Sequence, residues 1–211
     1  MRRESGTAAA GRQETAERLV AAGRRLFARR GYRGASVRAI THAAGANLGA
    51  VTYHFGSKRG LYEAVVDECL GPLRARTAAV VAGAGTPMEK IEALLRAFFA
   101  HLRSNPDTPQ FMLQEVASGE MPSAPVRSTV EQVLGSLAAL VEAGQRDGSV
   151  RPVASRLAAV SVVAQPVHLT LLSQLIARRW DGGVRLVGDA DEVENHAVAF
   201  VRAALRAQAE G

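Results

Sequence analysis

From Thr15 onward the chain repeats its apolar residues every third or fourth position. Ala16, Leu19, Val20, Gly23, Leu26 and Phe27 make one stripe, and Arg18, Arg24, Arg25 and Arg29 fall off it. That spacing is the pitch of an α-helix with one buried face. It returns at Ile91, Leu94, Leu95, Phe98 and Phe99, again from Leu157 to Leu175, and again at Val193, Ala197, Phe200, Val201, Ala204 and Leu205. The alternation of a half-buried strand is nowhere sustained. The expected fold is therefore all-α. With 211 residues, 47% of them hydrophobic, the chain can bury a sizeable core in one or two domains.

The breaks in the pattern carry as much information as the stripes. Gly31 stops the first helix. Ser36 is placed to cap a second, from Val37 to about Ala44, with Val37, Ile40 and Ala44 inward. Gly45 supplies the positive φ of a tight turn, and Asn47 is placed to cap a third helix through about Phe55. Two short helices joined by a three- to four-residue glycine turn form a helix-turn-helix. Ile40 and Val51 would pack across the turn against the first helix, leaving Asn47, Leu48 and Ala50 outward with Tyr53 and His54, as a recognition helix requires. Gly49 costs roughly 1 kcal/mol of helix propensity, a loss with a reason if the backbone must approach DNA closely. Ser57 can cap a fourth helix from Lys58, setting backbone N–H groups beside an ammonium as a phosphate clamp.

Charge points the same way. Residues 1–60 hold twelve Lys and Arg against three acids, a balance of +9, and the remainder fourteen against seventeen, a balance of −3. No acid stands between Glu17 and Glu63. Clustered cations of this kind displace counterions from a phosphate backbone, although a merely solvated basic surface has the same composition. We divide the chain accordingly into an N-terminal arm and DNA-binding domain, 1–60, and a helical regulatory domain, 61–211. The arm, Met1 to Gly11, reads as a solvated tail, with Arg2 and Arg3 in reach of a minor groove as the second reading. A lone cysteine, Cys69, forms no internal disulfide and gives no zinc spacing. No cofactor or metal is expected. Scattered histidines and the lack of a nucleophile elbow argue against an enzyme. No signal peptide leads the chain, and the run from Leu157 to Leu172, broken by Gln165, Pro166 and His168, is expected to fall short of a bilayer span. A cytoplasmic protein without membrane partners follows.

The stretch ASVRAITHAAGANLGAVTYHFGSKRGLYEAVV resembles the DNA-binding segment of tetracycline-repressor-like (TetR family) transcriptional regulators, whose third helix ends in Tyr-His-Phe or Tyr-Tyr-Phe before a polar turn and Lys. The likeness runs from about Glu14 to Val66. It implies a homodimer with a three-helix DNA-binding domain, a fourth linking helix and a larger helical-bundle domain for ligand binding and dimerisation. It further implies that Ser36 and Arg38 contact phosphates, that Asn47, Leu48, Gly49, Ala50 and Thr52 face the groove, that Tyr53 and His54 contact phosphates, and that Lys58 clamps one at the start of helix four. Thr52 stands where many relatives carry Tyr, and Leu48 where many carry Lys, so base readout would lean on Asn47, Thr52 and contact with thymine methyls. Each residue has a plainer reading. Tyr53 also fits a core aromatic with its hydroxyl at the surface, although the arginines around it favour DNA; His54 alone is an ordinary surface histidine.

The rest reads as a bundle. Thr86, Pro87 and Glu89 make a strong helix start. The two last helices are those that pair in the family, and the segment from Leu157 to Ile176 is apolar on more than one face. Pro166 should kink its helix beside Gln165 and His168, and with Phe98, Phe99, His101, Phe111, Met112 and Gln114 these could line a ligand cavity. Core packing explains each of them as well. The function expected is that of a sequence-specific repressor released from a double-stranded operator by an unidentified small-molecule effector. A nonspecific architectural DNA binder is the alternative.

Overall fold

The computed structural model describes residues 4–119, 121–179 and 188–207. Among these the elements are helices: α1 (Glu4–Gly34), α2 (Val37–Ala43), α3 (Ala50–Phe55), α4 (Lys58–Ala82), α5 (Pro87–Ser104), α6 (Thr108–Ala117), α7 (Ala124–Arg146), α8 (Ser155–Arg179) and α9 (Ala190–Leu205). An isolated antiparallel bridge joins Val150 to Arg206. The all-α class read from the stripes is the class observed.

Helix α1 starts well upstream of Thr15. Gln13 Nε2 donates to Glu17 Oε1 at 3.2 Å, Arg18 pairs with Glu14, and the Thr15 hydroxyl donates to the Gly11 carbonyl at 2.9 Å. These i, i+4 links extend the helix, so the stretch read as a tail is helical from Glu4, while Arg2 and Arg3 lie outside the described residues. Gly31 breaks α1 where expected, with φ 68° and ψ 173°.

Two compact units form. The first is the chain up to Leu70 together with Gln110–Val126; the second is Gly71–Pro109 and the chain from Arg127. In the first, Leu19, Phe27, Ile40 and Val51 meet Leu61, Val65 and Leu70 of α4 and Phe111 of α6 in one buried cluster. The change in packing therefore falls beyond Gly60, where the charge balance changes. Charge marks the solvent face, whereas a core continues as long as apolar side chains do.

In the second unit α5 opens on a complete capping box: the Thr86 hydroxyl accepts from Glu89 N, and Thr86 N donates to Glu89 Oε2 at 2.8 Å. Its inward residues Leu94, Leu95 and Phe99 pack with Val162 of α8 and with Ala197 and Val201 of α9. Arg202 forks onto the Glu92 carboxylate, and Arg96 and Arg103 both reach Glu194, tying α9 to α5 along the rim. Helix α8 continues through Pro166, and Ser155–Gln174, with mean hydropathy 1.3, is long and apolar enough to cross a membrane, contrary to the expectation. Gln165, Pro166 and His168 do not interrupt it, and its apolar excess has a local explanation. One face packs on α5 and α9, while Leu157, Val160 and Leu172 are exposed.

Candidate nucleic-acid interface

The short helix α2 is fixed at both ends by its own residues. Ser36 is extended, and its Oγ accepts from Ala39 N at 3.1 Å. Its hydroxyl proton stays free to donate outward. Ile40 and Thr41 are buried, and Thr41 spends its hydroxyl on the Val37 and Arg38 carbonyls. Arg38 is exposed beside them. Gly45, at φ 61°, then turns the chain as the turn requires.

Helix α3 differs from expectation at its start. It begins at Ala50 with Gly49 as N-cap and no side-chain cap. Asn47 stands two residues further out; its backbone carbonyl accepts from Ala50 N at 3.1 Å, and its side chain is exposed. The amide expected to be consumed in capping therefore faces solvent. Ala50 is buried in the first unit's core and also borders a recess with Asn47, Gly49, Tyr53 and His54. Leu48, Gly49 and Thr52 are exposed as expected. Among the described residues a Cβ on Gly49 would meet nothing closer than Asn47 Oδ1 at 3.6 Å, so none of them demands glycine there.

Tyr53 is 68% exposed, and His54, half-buried, meets it edge-on at 4.9 Å. The core-aromatic reading of Tyr53 is thereby excluded, while Phe55 does pack against the core. Ser57 Oγ accepts from Gly60 N at 3.0 Å, starting α4 as foreseen. Lys58 is half-buried with its Nζ 4.6 Å over the Tyr32 ring, a cation–π contact, and burial holds its pKa below the usual lysine value.

One neighbour was not foreseen. Arg12 and Thr15 of α1 share a recess of about 510 Å³ with Asn47, Gly49, Tyr53 and His54. The first helix is read from Thr15 in the sequence, which leaves Arg12 outside it, whereas α1 runs from Glu4. The Gln13–Glu17 and Glu14–Arg18 spacings were the available signal that the helix reached past it.

The residues read as a ligand cavity are divided between the two units. Phe111 and Gln114 belong to the first unit, where Phe111 packs edge-on against Tyr62 at 6.3 Å. In the second unit Phe98 adjoins Pro166 and Val162 around a void of only about 10 Å³, about the space one water needs, and Phe99 is buried. Gln165 instead lines a groove of about 450 Å³ with Leu157 and Phe200, and His168 is exposed. His101 is a buried core histidine, with ring nitrogens in reach of Asn105 and Thr108. The cause is α6, which folds with α1 and α4 in the first unit and takes Phe111, Met112 and Gln114 with it.

Residues 19–65 match the family described as "Bacterial regulatory proteins, tetR family", and residues 87–201, more than half of the chain, match "Tetracyclin repressor-like, C-terminal domain". The chain belongs to the tetR family. It is 42% identical over 62 residues to the HTH-type transcriptional repressor AcnR of Corynebacterium glutamicum, a match that covers 28% of this chain and 33% of that one. The chain thus spans about a third of that relative's length. Two tetR-like folds of known structure extend along nearly the whole chain. A TetR transcriptional regulator from Chloroflexus aurantiacus superposes with a TM-score of 0.72 at 24% identity, covering 94% of this chain and 99% of its own. The transcriptional regulator FadR from Bacillus subtilis, in complex with stearoyl-CoA, does so with a TM-score of 0.74 at 15% identity, covering 89% and 98%. In this tetR-family chain the first match ends inside α4 and the second begins at the first residue of α5.

Proposed function

We propose that this tetR-family regulator binds a specific operator as a homodimer, represses transcription from it, and is released by a small-molecule effector. The observation that carries the reading is that Arg38, Asn47, Leu48, Thr52 and Tyr53 are all exposed in a stretch with no acid between Glu17 and Glu63, and that Arg12 lines one recess with Asn47 and Tyr53. Ser36, Arg38, Tyr53 and His54 take phosphates; Asn47 and Thr52 read base edges; Gly49 admits the backbone; Leu48 meets thymine methyls; Lys58 supplies its ammonium at the start of α4. Ala50 acts only by packing α3. Residues up to the middle of α4 form the DNA-binding part, and those beyond it the regulatory part.

Pairing through α8 and α9 is supported by the apolar side chains Leu157, Val160 and Phe200, left exposed there. Two copies set recognition helices about one turn of DNA, roughly 34 Å, apart. An effector that favours a different separation needs a coupling free energy of about 1–3 kcal/mol. Repression is suggested by the similar AcnR, called a repressor, and effector control by FadR, solved with stearoyl-CoA.

The test is a titration of the protein against random and promoter-region duplexes at two salt concentrations. The expected specificity ratio is at least about 10³. A ratio near unity at both salts would leave the architectural reading in its place.

A further inference from the structure

The chain carries two lysines, Lys58 and Lys90, among 26 lysines and arginines. In residues 1–60 Lys58 stands alone among eleven arginines. An arginine presents a rigid fork, whereas a lysine is a point charge on a flexible stem. A lysine that is to meet a phosphate at a fixed place therefore gains from a contact that holds its stem. The Lys90 ammonium donates to the Val81 carbonyl at 2.9 Å. The Lys58 ammonium lies instead 4.6 Å over the Tyr32 ring. Among the described residues no carboxylate acts on it. Arg59, farther over the same ring at 5.9 Å, already shares its charge with Glu63 at 2.9 Å.

The ring is itself fixed. Tyr32 follows the break in α1 at Gly31, stacks on the buried Phe27 at 6.1 Å and meets Tyr62 edge-on at 5.1 Å. Its negative quadrupole is thereby held in one place. Lys58 is half-buried, and burial disfavours its charged form. A ring face offsets part of that cost by attracting the ammonium. A carboxylate would do so more strongly, but it would also neutralise the charge. The ring holds the cation and leaves its charge available to a further anion.

We propose that Tyr32 is the positioning residue of the Lys58 clamp, a neutral seat that holds the ammonium at the start of α4 with its charge intact for a DNA phosphate. This role rests on the DNA-binding function proposed above. Tyr32 acts in it through Lys58 and makes no contact with the duplex.

The first test needs no DNA. The full chain labelled with 13C-lysine gives two Cε–Hε signals, one for each lysine, and Lys58→Met assigns them. The Lys58 protons should lie upfield, under the ring current, in wild type and in Tyr32→Phe. An unshifted wild-type signal overturns the inference. The second test is a double-mutant cycle read by anisotropy on a random duplex at low salt. Tyr32→Leu and Tyr32→Met both remove the ring, and whichever keeps its helical circular dichroism serves. It should weaken binding about fivefold, against less than about twofold for Tyr32→Phe, which keeps a ring under the ammonium. On a Lys58→Met background the same change should have no further effect. An equal loss on both backgrounds, with wild type binding, makes Tyr32 a packing residue and overturns the inference alone. Wild type that binds no duplex overturns the DNA-binding reading, and this inference with it.

Discussion

Val51 and Tyr53 sit two positions apart on a helix of six residues, yet one is 1% exposed and the other 68%. A helix that short has one buried edge and one free edge, and the free edge sorts by chemistry. Tyr53→Ala should weaken binding to operator and random duplex alike by about 1.5–3 kcal/mol, the worth of a hydrogen bond to a charged group. Asn47→Ala should cost about 1–3 kcal/mol on the preferred sequence and relax the choice of base at one position. Anisotropy titrations on duplexes with single base changes separate the two, and the reverse assignment would refute this division of labour. Arg12→Ala should lower the slope of log affinity against log salt by about 0.9, one phosphate's worth. An unchanged slope would remove Arg12 from the interface. At this scale the sequence was informative about residue type and less so about register. Tyr53 and Ser36 stand as their patterns implied, but the turn at Leu48 and Gly49 starts α3 at Ala50, which buries that residue and leaves Asn47 outside the cap. A two-residue difference in a helix start is set by the turn before it, which periodicity does not encode.

Helix ends were legible wherever a side chain closes them. Thr86 with Glu89, and Ser57 with Gly60, make the bonds that their spacing implies. Thr86→Ala should therefore cost about 0.5–2 kcal/mol in urea denaturation. Gly31 makes a sharper case. Its φ of 68° with ψ of 173° belongs to glycine, while a Cβ there would come no nearer than 3.9 Å to Gln114 Cδ. Gly31→Ala should then destabilise by roughly 1–3 kcal/mol through backbone strain alone. A neutral result would mean that α1 can run straight past the break. The course of α8 through Pro166 was legible from the stripe that runs on both sides of it, whereas the upstream start of α1 was not. Small polar residues near the N-terminus resemble a tail when the contacts that hold the helix are not in view.

For the whole molecule the hardest feature to read was α6. Gln114 reaches a carbonyl 87 residues earlier in the chain, and no local pattern announces a contact of that separation. The apolar excess of α8 was visible in the sequence, and pairing of two copies is the use read for it there. If α8 and α9 pair two copies, each side chain in the interface counts twice. Leu157→Asp combined with Phe200→Asp should then leave a folded monomer in sedimentation equilibrium, since a buried Leu or Phe contributes about 1.5–3 kcal/mol. Operator affinity should fall with it, and a dimer that persists would move the interface elsewhere.

If the outward side chains Leu157, Val160 and Phe200 pair two copies as proposed, they also set how the regulator responds to its own supply. Wherever chains are scarcer than their pairing constant, the DNA-competent species grows as the square of the amount made, so halving synthesis leaves about a quarter of the pairs. A surface that water disfavours thus makes gene control depend steeply on dosage.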